Sequence, residues 1–269
     1  MKIAVIIVTW NSIKFLDNSI GKIAKYSSDI YVIDNGSRDG TPEYIKKNYP
    51  NVNLIELPVN VGFSIANNYG IKIAFNNGFD GVFLINVDTI IDEDIINPLE
   101  QILENDKDIG IIGPVVVEAD APDIIQSNGG KFHLWCLSFP YSDRGKIFER
   151  RNGILLVDYV LGAAMLIRRE LYELIGGFDE DYFPAYVEEV DLCFRAHQKG
   201  FKCAIHQGVR IRHIGKQSSG GRDKEFQRMM RNHFLFAIKH LGALRFFFSS
   251  FIISLRVLYY KIIVLGKWI

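Results

Sequence analysis

Over its first hundred residues the chain alternates between two hydrophobic rhythms. Ile3–Thr9 is an unbroken apolar, β-branched run, and an amphipathic stretch follows at 12–25. Ile30–Asp34 is a second short run, closed by the turn residues Asn35-Gly36-Ser37, and a helical pattern extends from Thr41 to Asn48. Val52–Leu57 is a third run, 62–76 reads as a helix, and Gly81–Ile85 is a fourth strand ending in Asn86-Val87-Asp88. Short apolar runs alternating with helical patterns predict parallel βαβ units, with both faces of the sheet covered.

Beyond residue 110 the rhythm changes. Gly110–Val117 reads as another strand, whereas 118–158 is irregular and rich in Gly, Pro and aromatic residues. Asp158–Arg168 is an apolar run with Gly162-Ala163-Ala164 at its centre, small residues that serve either a close approach or ordinary tight packing. Arg169–Ile175 reads as a short helix closed by Gly176-Gly177. The tail, 244–269, is apolar but interrupted, and Arg245, Arg256 and Lys267 recur at intervals of about three helical turns. No uninterrupted run there reaches the ~20 apolar residues that a membrane span requires. The expectation is a helix lying in the membrane interface with its basic stripe toward anionic headgroups, or alternatively one that packs in an oligomer.

Composition narrows the class. With 269 residues, 48% hydrophobic, the chain can fill a large α/β core. Lys+Arg and Asp+Glu are equal at 31 each, so no charge imbalance points to nucleic acid. Cys136, Cys193 and Cys203 have neither paired spacing nor an even count, which argues against a disulfide framework or a zinc site and for a reducing cytoplasm. The apolar start MKIAVIIVTW meets Asn11 at once and reads as a buried strand rather than a signal peptide.

In parallel sheets ligands bind outside the carboxyl ends of the strands. Thr9 and Asn11, Asp34 and Asn35, Asn60, and Asn86 and Asp88 lie at those ends. Any one of them can be an ordinary polar turn residue, but four successive strands delivering such residues to one edge suggest a nucleotide site. The turn after the first strand, TWNSIKF, lacks the glycines of a dinucleotide fingerprint, and no P-loop is present. A divalent cation held by Asp88 is the economical way to neutralise phosphates. A second cluster, EDYFPAYVEEVDL at 180–192, crowds Glu188, Glu189 and Asp191 into four positions. It is either an acidic first turn favoured by the helix dipole or the source of a proton acceptor.

The segments VIDNGSRDGT (32–41), NVGF (60–63), LINVD (84–88), GAAMLIRRE (162–170), GGFDEDYF (176–183) and EEVDL (188–192) resemble the family-2 glycosyltransferases, most of all the rhamnosyltransferase-like branch of cell-surface polysaccharide synthesis. The resemblance covers about 1–215. It implies a GT-A fold, a nucleotide-sugar donor, Mn²⁺ or Mg²⁺, and an inverting displacement at the anomeric carbon. By the same resemblance Asp34 meets the N3–H of a uracil or thymine ring. Thr9 and Asn11 lie beside that base, and Asn60, Gly62 and Asn67 lie nearer the ribose and phosphates. Asn86-Val87-Asp88 stands where the family has its metal motif, with Asn86 replacing a carboxylate. His213 matches a late metal- or phosphate-binding histidine, and Lys216 or Arg222 in the following loop compensates diphosphate charge. The catalytic base maps to Glu189, one methylene longer than the family's aspartate, with Glu188 and Asp191 as the other candidates.

The chain is therefore expected to be α/β, with a GT-A fold, one Rossmann-like, mostly parallel central sheet flanked by helices, and a C-terminal helical extension. Residues 1–240 form the transferase domain, with a nucleotide-binding half (1–110) and an acceptor half (111–240), and 241–269 form the amphipathic helix. The expected reaction moves rhamnose from dTDP-rhamnose to a lipid-linked or growing glycan, at the inner face of the cell membrane. A UDP-hexose or galactofuranose donor, or a catalytically silent nucleotide-sugar-binding module, are the alternatives.

Overall fold

Ile3, Val5 and Ile7 pack into one hydrophobic core and Ala4 and Ile6 into another, so the first strand is buried on both sides. The computed structural model describes residues 1–215 and 222–260. β1 (Ile3–Thr9), β2 (Ile30–Asp34), β3 (Asn53–Glu56) and β4 (Gly81–Ile85) are parallel neighbours in the order β3-β2-β1-β4. Short helices α1 (Ile20–Ile23), α2 (Thr41–Asn48) and α3 (Phe63–Asn76) connect them. α4 (Ile96–Asn105) follows β5 (Thr89–Ile90). The predicted amphipathic stretch at 12–25 forms only a 3-10 turn at Ile13–Phe15 and the single turn α1. Asp17-Asn18-Ser19 interrupts it, and the Ser19 hydroxyl donates back to the Phe15 carbonyl, a local bond that competes with helix propagation.

The remaining elements are β6 (Ile109–Glu118), β7 (Ile125–Ser127), β8 (Ile154–Val157), β9 (Ala164–Arg168), α5 (Arg169–Ile175), α6 (Glu188–Gln198), β10 (Lys202–His213), α7 (Arg222–His240) and α8 (Ala243–Tyr259). They continue the same sheet in the order β4-β9-β6-β10-β5, with β7 on β6 and β8 on β10. β9 runs antiparallel to both β4 and β6, so strands from the two parts of the chain interleave. One core, with Leu16, Ile20, Ile45, Leu99 and Leu103, lies under α1, α2 and α4. The other takes Ala66, Ile71, Leu171, Val190, Phe236 and Ile253 from α3, α5, α6, α7 and α8.

α7 and α8 pack on one another and on the irregular 130–141 segment. Arg245 lies 5.2 Å from the Trp135 ring, and Arg256 Nη1 donates to the Leu137 carbonyl at 2.7 Å. Of the expected basic stripe, Arg256 is half-buried and committed to that carbonyl, whereas Arg245 is exposed beside the Trp135 ring. The exposed face of α8 is instead apolar, with Phe247, Phe251, Leu255 and Tyr259. Lys267 lies outside the described residues. Among those residues no helix is long and apolar enough to cross a membrane.

Candidate active site

Thr9 and Asp34 are register partners at the ends of β1 and β2, and both are buried. The Thr9 hydroxyl donates to Asp34 Oδ1 (2.9 Å), which also accepts from the Ser37 hydroxyl (2.6 Å), while Oδ2 accepts the Ser37 N–H (2.9 Å). Asn11, with φ +50°, caps this loop: its N–H donates to Ser37 Oγ and its Oδ1 accepts the Arg38 N–H, both at 2.8 Å. Asp39, whose role in the loop the sequence leaves open, accepts from Thr41 and Ile13. Burial opposes its ionisation, yet those hydrogen bonds hold its carboxyl below the ordinary range, as suits a turn residue.

Asn35 and Asn60 knit the next layer. Asn35 Nδ2 donates to Asn60 Oδ1 (3.2 Å) and its Oδ1 accepts the Val61 N–H (2.8 Å), while Asn60 Oδ1 also accepts the Gly62 N–H (2.9 Å). Gly62 has φ +87° and ψ 171°, a region open essentially to glycine alone. A Cβ there would stand 2.7 Å from Phe183 and 3.2 Å from the Pro184 carbonyl, so the close approach Gly62 permits is made by the 183–184 segment of the chain itself. Asn67 is buried, and its amide donates to Phe63 O within α3.

The metal edge is assembled from opposite ends of the sequence. β5 pairs antiparallel with β10, His213 opposite Thr89, and the Ile214 N–H donates to Asp88 O. His213 Nε2 then lies 3.3 Å from Asp88 Oδ1. Its other nitrogen, Nδ1, is 2.7 Å from Gln126 Oε1, and Gln126 Nε2 donates to Glu118 Oε2. The glutamine orientation assigned by its bond to Glu118 makes Nδ1 the donor to Gln126, so that in the neutral imidazole it is Nε2 whose lone pair faces the carboxylate. An imidazole lone pair and a carboxylate oxygen aimed at one another form a donor set that fits a small divalent cation. No cluster of three or more His, Cys, Asp or Glu suited to a metal exists among the described residues, so the other ligands would have to come from diphosphate and water. Asn86 contributes backbone here: its N–H donates to Ala163 O and its carbonyl accepts from Thr89. Lys216 and the side chain of Arg222 lie outside the described residues.

The acidic cluster is held by an unusual backbone. Tyr186 (φ +85°) and Val187 (φ +75°) are consecutive left-handed residues immediately before α6, which is costly for a β-branched side chain. Asn232 of α7, fully buried, has its amide nitrogen within reach of three carbonyls of this segment: Tyr182 (3.3 Å), Ala185 (3.0 Å) and Tyr186 (2.8 Å). Asn232→Ala would strand those acceptors, at about 1–3 kcal/mol for a buried unsatisfied group. The expected result is a melting temperature lower by several degrees, read by thermal unfolding, with loss of turnover and little change in donor affinity.

The three acids have different fates. Asp191 is fully buried, and accepts from Arg195 Nε (2.7 Å), His240 Nε2 (2.6 Å) and the Tyr182 hydroxyl (3.2 Å). Burial alone would raise its pKa, but His240 and Arg195 outweigh it and hold the carboxyl below the usual range. It ties α6 to α7 and has no exposed surface. Glu188 is buried with Oε2 unpartnered, and burial, then the charge of Glu189, pushes it well above the usual carboxylate range. Glu189 is half-buried, and burial raises it to about 7, against backbone N–H groups of Val187, Glu189 and Val190 that favour the anion. Helix-start amides thus favour ionisation of Glu189, and desolvation outweighs them.

Gly162 joins the two sides. A Cβ on it would stand 3.5 Å from Glu189 Cβ, and the next residue, Ala163, accepts the Asn86 N–H at 2.9 Å. The base candidate thus borders the turn that is bonded to the start of Asn86-Val87-Asp88. Of the small residues at 162–164, Gly162 lies at ordinary van der Waals distance from the glutamate, and Ala163 and Ala164 pack into the core.

A mixed α/β sheet flanked by helices in this arrangement is the frame of the GT-A glycosyltransferases. The same fold occurs in GalNAc-T7 solved with UDP, GalNAc and Mn²⁺ (TM-score 0.67, 14% identity, 97% of this chain and 57% of that one). It occurs also in the mannosyltransferase PcManGT of Pyrobaculum calidifontis with GDP-Man and Mn²⁺ (TM-score 0.63, 16% identity, 96% and 75%). Residues 1–232 match the family model described as glycosyltransferase like family 2, and the chain belongs to that family. Curated relatives include the N-acetylglucosaminyl-diphospho-decaprenol L-rhamnosyltransferase of Mycobacterium tuberculosis, 28% identical over 215 residues (72% of this chain, 68% of that protein). Another is the dTDP-rhamnosyl transferase RfbF of Shigella flexneri, 24% identical over 222 residues (79% and 69%).

Proposed function

We propose that the chain is an inverting, divalent-metal-dependent glycosyltransferase that moves rhamnose from dTDP-rhamnose to a lipid-linked or growing cell-surface glycan. The observation that carries this reading is the placement of Glu189 against Gly162, one hydrogen-bonded turn from the Asp88–His213 pair. Glu189 accepts the proton of the acceptor hydroxyl, whose oxygen forms the new bond to the anomeric carbon. The bond from that carbon to the diphosphate breaks on the opposite face, and its electron pair leaves with the nucleotide. Asp88 and His213 would hold Mn²⁺ or Mg²⁺, which when bound neutralises charge developing on the departing diphosphate. Asp34, held by Thr9 and Ser37, offers a carboxylate at the base end of the donor, and Asn11 and Asn60 shape the loops around it.

The donor assignment rests on the two rhamnosyltransferase relatives, one of which names dTDP-rhamnose chemistry and the other a diphospho-decaprenol acceptor. Work at a membrane surface, which we set at the inner face of the cell membrane, is supported as far as membrane contact goes by the apolar outer face of α8. Titration with a panel of nucleotide sugars in the presence of Mn²⁺ tests the reading. Preferential binding and hydrolysis of dTDP-rhamnose is the expected result, UDP-selective binding would overturn the donor, and no nucleotide-sugar binding at all would overturn the function.

A further inference from the structure

A cavity of about 640 Å³ lies between α7, α8 and the 138–140 segment, apart from the strand-end crevice. Phe139, Phe226, Met230 and Leu255 make it largely apolar, and its polar lining includes His233 and Arg256. His233 is buried, its Nδ1 has no partner, and burial followed by the Arg256 charge lowers its pKa to about 4, so it is neutral at pH 7. Arg256 gives one Nη1 bond to the Leu137 carbonyl and presents a cation at the wall of an otherwise uncharged chamber. At one end Phe226 and Tyr260 stack 3.8 Å apart. The size is that of a small-molecule site, and the chemistry suits an amphiphile: a hydrocarbon chain with an anionic head.

The cavity is coupled to the acidic cluster on two sides. His233 follows Asn232 on α7, whose amide holds the Tyr182, Ala185 and Tyr186 carbonyls ahead of Glu189. Pro140 of the opposite wall precedes Tyr141, whose hydroxyl is raised by burial and then by the nearby charge of Glu189. Leu255 and Tyr259 on the rim belong to the exposed apolar face of α8.

We infer that this cavity seats the first isoprenoid units of a polyprenyl-diphosphate-linked acceptor, with Arg256 pairing to its diphosphate, so that the attached sugar is presented to Glu189. The inference rests on the transferase reading above and adds the part of the chain that recognises the lipid. Occupancy by the hydrocarbon removes its apolar surface from water, and the guanidinium selects a charged head over a neutral alcohol.

The full chain is titrated with geranylgeranyl diphosphate and, separately, with geranylgeraniol. Leu255→Trp, an exposed rim position, and Met230→Trp, deeper inside, are each expected to weaken the diphosphate probe by about tenfold or more, by filling the volume its chain needs. Arg256→Gln should weaken geranylgeranyl diphosphate by about tenfold and leave geranylgeraniol within about twofold, as removal of a charge-assisted contact requires. Equal affinity in wild type and both tryptophan variants overturns the site, and so does full displacement of the probe by inorganic diphosphate with Mn²⁺, which would put it at the Asp88 edge. dTDP and Mn²⁺ titrated into the same samples read the donor side separately. Failure of dTDP alone overturns the donor and failure of every nucleotide sugar of the panel overturns the transferase function, whereas failure of the prenyl probe with dTDP binding intact overturns the cavity alone.

Discussion

Glu189→Gln is expected to lower sugar transfer by about 10²–10⁴-fold, the span contributed by a positioned general base, while leaving nucleotide binding in place. The amide keeps the shape of the side chain against Gly162 but cannot take a proton. Glu188→Gln should be far milder, because burial pushes that neighbour's carboxyl well above the usual range, toward the neutral acid that an amide resembles. In wild type the rate should rise with pH and level off above about 7, where Glu189 becomes the anion. Stability should follow the opposite slope. Between the ordinary carboxylate range and about 7 the folded chain keeps a proton that the unfolded chain has lost, so stability present in acid is lost as pH rises through about 7. Glu189→Gln should therefore gain melting temperature over wild type at pH 8 more than at pH 5. A rate independent of pH from 5 to 9, or equal losses in both glutamine variants, would remove Glu189 from the role.

Asp88→Ala should abolish metal-dependent donor binding. Loss of a partner that orients a metal ligand costs about 10–100-fold in affinity, so loss of the carboxylate itself should exceed ~100-fold. The readout is nucleotide affinity with and without Mn²⁺, which needs no turnover. A graded series sharpens it: Gln126→Leu, which removes the acceptor at His213 Nδ1, should fall in the 10–100-fold interval. The wild-type advantage should also vanish on chelation, leaving wild type and Asp88→Ala alike. If the variant binds nucleotide equally well with Mn²⁺, the carboxylate has no part in holding the cation.

The first hundred residues were the more legible part of the sequence. β1, β2 and β4 have the boundaries their apolar runs predict, because strands buried on both faces of a parallel sheet leave no polar interruption before the turn. Thr9 and Asp34 were visible for the same reason: they are the first polar residues at strand ends. What the pattern could not show is pairing across long separations. The wedging of β9 between β4 and β6, the Gln126 bond to His213 and the Asn232 clasp join residues 46 to 87 positions apart, and no periodicity encodes such partners. The arginine spacing in the tail is not enough to define a helix face, which depends on what packs on it: Leu137, in a segment without regular rhythm, takes up Arg256.

The left-handed pair Tyr186–Val187 has a consequence for how this enzyme can change. Glycine at position 187 would relieve a conformational cost and also slacken the link between Tyr186 and the first turn of α6. Sturdiness and turnover are thereby set against each other at one residue. A lineage selected for heat resistance and one selected for speed would pull it in different directions, with α7 as the brace either must keep.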